Sequence, residues 1–137
     1  MTGTQINTIR ARFQTEVVDS LFPTVPVIYD NQLAEPPDSG TWMRVTILPG
    51  TSFQAALGGT KSFRHPFVMV VQLFNDIGTG TTRLQELADG IVPVFRGRTE
   101  NSIAYKTPSV VSVGRFEKWF QWNVSCPGYA GDLIMEI

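Results

Sequence analysis

The run Phe67-Val68-Met69-Val70-Val71-Gln72-Leu73-Phe74 constrains the fold more than any other stretch, because it is apolar at odd and even positions alike. A strand with one wet face alternates apolar and polar residues. One that does not alternate belongs in the middle of a sheet, with both faces covered. The run is also far short of the ~20 apolar residues that a membrane-crossing helix needs. It predicts a central strand, and the rest of the chain must supply its neighbours.

Upstream, Trp42, Arg44, Thr46 and Leu48 alternate with Met43, Val45 and Ile47, so this strand turns the second set inward. Pro49-Gly50 interrupts it, and Thr51 to Leu57 resumes as an extended arm. Gly58-Gly59 supplies a turn in which positive φ costs little, and the chain returns from Lys61 to Phe74. Downstream, Ser109 to Val113 and Phe116 to Ser125 read as two more strands, and Phe116, Phe120, Trp122 and Val124 of the second include an inward set. A shorter strand takes in Val25, Val27 and Tyr29. A loop from Asp30 to Gly40 follows it, rich in turn residues at Pro36-Pro37-Asp38-Ser39-Gly40.

Two segments keep helical spacing. Ile6, Ile9, Phe13, Val17 and Leu21 form one apolar stripe, ended by Pro23 and Pro26. Leu84, Leu87, Ala88, Ile91 and Phe95 form another, with Thr81 or Thr82 as its N-cap, Pro93 in its last turn and Gly97 as its end. The fold class is α+β: a largely antiparallel sheet, two helices packed on one side, and a long protruding β-hairpin.

At 137 residues the chain has the size of a single domain and buries ~two-thirds of its unfolded surface without disulfides or metals. Its lone Cys126 excludes an internal disulfide. The N-terminal residues Met1 to Gln5 are polar, unlike a signal peptide, so synthesis and folding in a cytoplasm are expected. The net charge is −1, and the cations are dispersed: Arg10, Arg12, Arg44, Lys61, Arg64, Arg96, Arg98, Arg115 and Lys118. A protein that grips DNA concentrates its cations on one face, because phosphate neutralisation supplies the affinity. Weak, non-specific contact with DNA is the expectation.

The residues able to carry chemistry are few. His65 is the only histidine, so a site of several imidazoles is impossible, and beside Arg64 and Pro66 it reads as a solvated or hydrogen-bonded strand residue. Cys126, just before Pro127-Gly128, reads as a small apolar filler at a strand end. Gly78-Thr79-Gly80 precedes a helix but lacks the Gly-Lys-Ser/Thr of a phosphate loop. Glu86 and Asp89 fall on the polar side of their helix, where a solvated face is the simpler account. Trp42, Trp119 and Trp122 with nine Phe suit core packing and subunit contact better than base stacking, since no basic residues interleave with them at a strand centre. No catalytic residue, cofactor or metal is expected.

From Trp42 to Ile91 the chain resembles the phage tail terminator-like family. The resemblance rests on Trp42-Met43-Arg44-Val45, Gln54-Ala55-Ala56-Leu57-Gly58, Val70-Val71-Gln72-Leu73-Phe74, Gly78-Thr79-Gly80 and Leu87-Ala88-Asp89-Gly90-Ile91 in that order. The N-terminal helix and Tyr29-Asp30-Asn31 also fit, while Pro66 and Pro93 depart from the pattern. The resemblance implies a virion protein that forms a hexameric ring at the head-proximal end of the tail, stops polymerisation of the tail tube protein and receives the head connector, with DNA passing through. The arm has too few local partners for its apolar residues, which marks it as an interface. Its candidate contact residues are Phe53, Gln54, Leu57, Lys61, Phe63 and Arg64. Two alternatives remain: another neck or head–tail joining protein, and a small-molecule-binding or catalytic α+β domain with its pocket between helix and sheet.

Overall fold

The computed structural model describes residues 1–30, 32–56 and 60–135, and the side chains of 53–56, 60–62 and 132–135 lie outside that description. The sheet is built on two long antiparallel strands, β4 (Thr60–Asp76) and β8 (Trp119–Met135), each of 17 residues. They pair along their whole length, from Thr60↔Met135 to Asp76↔Trp119. At ~3.3 Å per residue the ladder is roughly 55 Å long. The run Phe67–Phe74 lies inside it, between β8 and β2 (Trp42–Pro49), so the central position expected of it is the one observed.

Each long strand is flanked by two shorter ones laid end to end. Beside β4 run β2 and then β3 (Phe53–Ala56); beside β8 run β7 (Ser109–Phe116) and then β6 (Ile103–Tyr105). Outside β2 lies β1 (Val27–Tyr29), the one parallel neighbour, and outside β6 lies β5 (Thr99–Glu100). Eight strands thus form one sheet, almost wholly antiparallel.

Both long strands contain a proline that would break a ladder elsewhere. Pro66 accepts a hydrogen bond from Gly50 N–H through its carbonyl at 2.7 Å, so the side on which its own N–H is missing faces the gap between β2 and β3. The Pro127 carbonyl accepts from Lys106 N–H at 2.9 Å and faces the gap between β6 and β7. In both places the proline faces a break between two flanking strands, where no ladder pair is interrupted among the described residues. Pro127-Gly128 therefore does not end the last strand near Ser125, as turn chemistry suggested. The strand continues ten residues further, to Met135.

The helices α1 (Gly3–Phe13) and α2 (Thr82–Phe95) cover one face of the sheet. Thr2 and Gln5 form a reciprocal capping box at the start of α1. After Phe13 the chain widens into a π-helical segment, Gln14–Asp19, and the Phe22 N–H reaches back to the carbonyls of Val17 and Val18, both at 3.1 Å. The extra residue slips the apolar phase. Val17 and Val18 are both buried, whereas Leu21, expected on the stripe, is 48% exposed and Phe22 packs on the core in its place. In α2 the expected set Leu84, Leu87, Ala88, Ile91 and Phe95 is buried throughout. Thr81 takes the N-cap position without a side-chain cap bond, and Gly97 follows the helix at φ +64°.

Met43, Val45, Ile47, Phe67, Met69, Val71, Leu73, Val124, Cys126 and Ala130 meet the helices in the main core. The opposite face of the sheet is largely uncovered. Val68, Val70 and Gln72 there are only half-buried, so the cover expected on both faces of the central run is present on one. At one end of that open face Ile28, Trp42, Phe74 and Trp119 form a second small core. Phe116, expected to open the last strand, instead ends β7, lies 6.1 Å from the Phe74 ring and is 45% exposed.

Candidate assembly surfaces

The arm between Pro49 and Pro66 exists, but it is not an isolated hairpin. β3 pairs with β4 at Phe53↔Arg64 and Gln54↔Phe63, while β8 pairs with the far side of β4 at Phe63↔Asp132 and Arg64↔Gly131. The third strand appears because β8 does not stop at Pro127. Of the six candidate contact residues, Phe63 is half-buried, and Arg64 is exposed with its guanidinium 4.6 Å from the Tyr129 ring centre. Phe53 and Gln54 are placed by their backbone pairing with β4, and Lys61 by its pairing with Ile134, while their side chains lie outside the description. Leu57 and the Gly58-Gly59 turn lie outside the described residues altogether.

The sheet's other flank carries a surface that the pattern reading did not single out. Seven of the eight residues of β7 are exposed, all but Gly114, and its single ladder partner is β8. Val110 is 41% exposed, Val111 54% and Val113 50%. Its signal was present in the sequence: Ser109 to Gly114 contains no charge and places valine at both odd and even positions.

Chemistry-bearing residues are kept apart. His65 Nδ1 lies 2.5 Å from Ser52 Oγ and 3.1 Å from the amine of Met1. Cys126 pairs with Met69, not with a strand end, and His65 pairs with Ala130, four positions along the same strand. That places the two roughly 13 Å apart at ~3.3 Å per residue. Cys126 is buried, and burial alone pushes its thiol up to about 12, the reverse of nucleophile activation. Glu86 pairs with Arg83 at 3.0 Å and Asp89 is exposed, as the solvated-face reading expected. Gly78 and Gly80 adopt φ of +90° and +80°, so turn geometry accounts for both. Among the described residues no three His, Cys, Asp or Glu side chains converge as a metal site would need. No helix among them is long and apolar enough to cross a membrane.

Among the described residues, Arg12 is a highly connected charge. Its Nε and Nη2 donate to the Val94 carbonyl at 3.1 and 2.7 Å, and its Nη1 to Glu100 at 2.6 Å. Glu16 stands 3.3 Å away, and the guanidinium lies over the rings of Phe95 and Tyr105. These bonds join α1 to the end of α2 and to β5. Arg12 is thus a structural clasp.

A family model described as phage tail terminator protein matches residues 8–122. No curated protein matches the sequence. Among solved structures, one superimposes with a TM-score of 0.67 at 21% identity, covering 98% of this chain and 100% of its own. At that identity the likeness speaks to the fold alone.

Proposed function

Because this chain belongs to the phage tail terminator family, we propose that it works by shape, as a subunit of a ring that caps the finished tail tube and stops its growth. The family match over residues 8–122 carries this reading. The family is structural, and the separation of His65 from Cys126 is in keeping with a protein that assembles rather than catalyses. One ring face fits the last subunits of the tail tube protein, and the other receives the head connector while refusing a further tube subunit. DNA passes through without specific contact. Closure multiplies modest pairwise contacts, so each interface need not be strong alone.

In this scheme the arm reaches the neighbouring subunit through Phe53, Gln54, Leu57, Lys61, Phe63 and Arg64. Burying each apolar side chain there contributes roughly 1.5–3 kcal/mol before ordering costs. The test is tail length. Particles made without this protein should carry tubes of uncontrolled length, and adding it back should restore one length. Normal tails in its absence would overturn the reading, as would a stable two-fold dimer with a large apolar interface found both in isolation and in particles.

A further inference from the structure

We infer that β7 of one subunit joins β3 of the next, so that the ring is closed by sheet continued from copy to copy. The inference rests on the ring reading above and adds the surfaces that make it.

An open strand edge is a row of unpaired N–H and C=O groups, and proteins ordinarily blunt it with charges, prolines, short strands or capping side chains. This sheet treats its two sides differently. On the β1 side the edge is only three residues long, the Tyr29 N–H donates to Gln32 Oε1 at 2.9 Å, and the Ile47 N–H donates to Asp30 Oδ2 at 3.1 Å. Side chains thus occupy donors that a foreign strand would seek. On the β7 side a charge, Arg115, and the bulge at Ser112/Gly114 blunt only the far end of the strand. From Ser109 to Ser112 the strand runs in regular register with β8, uncharged, with Val110 and Val111 exposed, before the bulge at Ser112/Gly114.

The occupant is set by the geometry of edges. Two β7 strands paired about a two-fold axis consume each other and stop at two copies. A ring needs two different, complementary edges, so that each copy offers one and receives one. Among the described residues the sheet has a second open edge on its opposite side. β3 pairs with β4 alone, lies beyond the Asp30 cap because β2 ends at Pro49↔Phe67, and its residues Phe53-Gln54-Ala55-Ala56 carry no charge. β3 is four residues long, with a register shift between Gln54 and Ala56, and the part of β7 that precedes its own shift is also four residues long. Joining them leaves no like charges opposed and adds main-chain hydrogen bonds in the manner of strand addition.

Cysteine cross-linking tests this. Single variants place cysteine at one of Val110 to Val113 or at one of Phe53 to Ala56, and double variants combine one of each; native Cys126 is buried and stays silent. Oxidation of rings and of particles should link a double variant such as Ala55→Cys/Val111→Cys into a ladder of covalent multimers, while the single variants stay unlinked. Val111→Lys and Val113→Lys should leave melting unchanged, since both side chains are half exposed, yet lower the mass by light scattering to that of one chain. Dimers from Val111→Cys alone would overturn the inference in favour of a two-fold pair. Rings that form and cap tubes while no double variant cross-links, or that survive both lysines, would overturn it and leave the ring reading standing. Absence of any ring, in solution and in particles, removes both.

Discussion

Arg12 has a side chain only 13% exposed and ties α1 to Val94 and Glu100, 82 and 88 residues further along the chain. The last carbonyls of a helix have no partner within it, and Val94 in the last turn of α2 finds one in this guanidinium. Arg12→Ala should therefore cost about 2–4 kcal/mol, read from denaturant midpoints, because the Glu100 carboxylate loses its cation and the Val94 carbonyl its donors. Arg12→Lys should recover only part of that, since a compact ammonium cannot form the planar fork that serves both acceptors and stacks on Phe95 and Tyr105. Burial also sets an alkaline limit. It raises the Cys126 thiol from 9.0 to about 12 and, with Asp19 assisting, the Tyr29 phenol from 10.0 to about 12; Tyr105 moves the same way. Below the unfolded values these groups are neutral in both states. Above them only the unfolded chain releases protons, so stability should hold near neutrality and fall as pH rises from about 9 to about 12. Urea midpoints measured across that window check it; a flat profile to pH ~11 would mean these groups are not buried as described.

At the scale of elements, a pattern that repeats on a fixed period was legible, and one that depends on a neighbour was not. The α2 stripe and the inward set of β2 come directly from spacing, and both are buried as expected. The π-helical slip was hidden, because one inserted residue leaves Val17 on the stripe and moves only the residues after it. The full length of β8 was hidden for a different reason. Pro127-Gly128 has the chemistry of a turn, and only the gap between β6 and β7 makes proline harmless there. Gly128 is required in its own right: a Cβ on it would lie 2.5 Å from the Ala104 carbonyl oxygen and 2.8 Å from the Phe67 ring. Gly128→Ala should push β6 from β8 and destabilise by about 1–3 kcal/mol, visible as a lower melting temperature and faster amide exchange at Ala104 and Tyr105. Exchange unchanged at those amides would show that the strands tolerate the extra carbon. The arm was singled out in the sequence as apolar residues with too few local partners, and the partner it lacked there is β8, whose pairing Pro127-Gly128 concealed. An edge is a property of strand order, which no single segment encodes.

For the whole molecule, a net charge of −1 with dispersed cations sets the expected relation to nucleic acid. Duplex DNA should bind at physiological salt no more tightly than ordinary non-specific contacts, ~10⁻⁴ to 10⁻⁶ M. Fluorescence anisotropy checks this, and sequence-dependent nanomolar binding would contradict passage without grip. The pairing of β4 with β8 has a further consequence, for the time at which a subunit becomes able to assemble. Thr60 and Met135 are partners although more than half the chain separates them, so β4 lacks its partner on one side until Trp119 to Met135 have been made. Contacts so distant in sequence form late, because a long loop must close before they repay its entropy. A nascent or truncated chain has the helices and β2 but an arm supported by β3 alone, and paired strands in that number are marginal in water. In the proposed assembly, synthesis of β8 would thus act as a checkpoint: a subunit acquires a stiff arm only once that strand is whole, and fragments lacking it are expected to stay out of the particle.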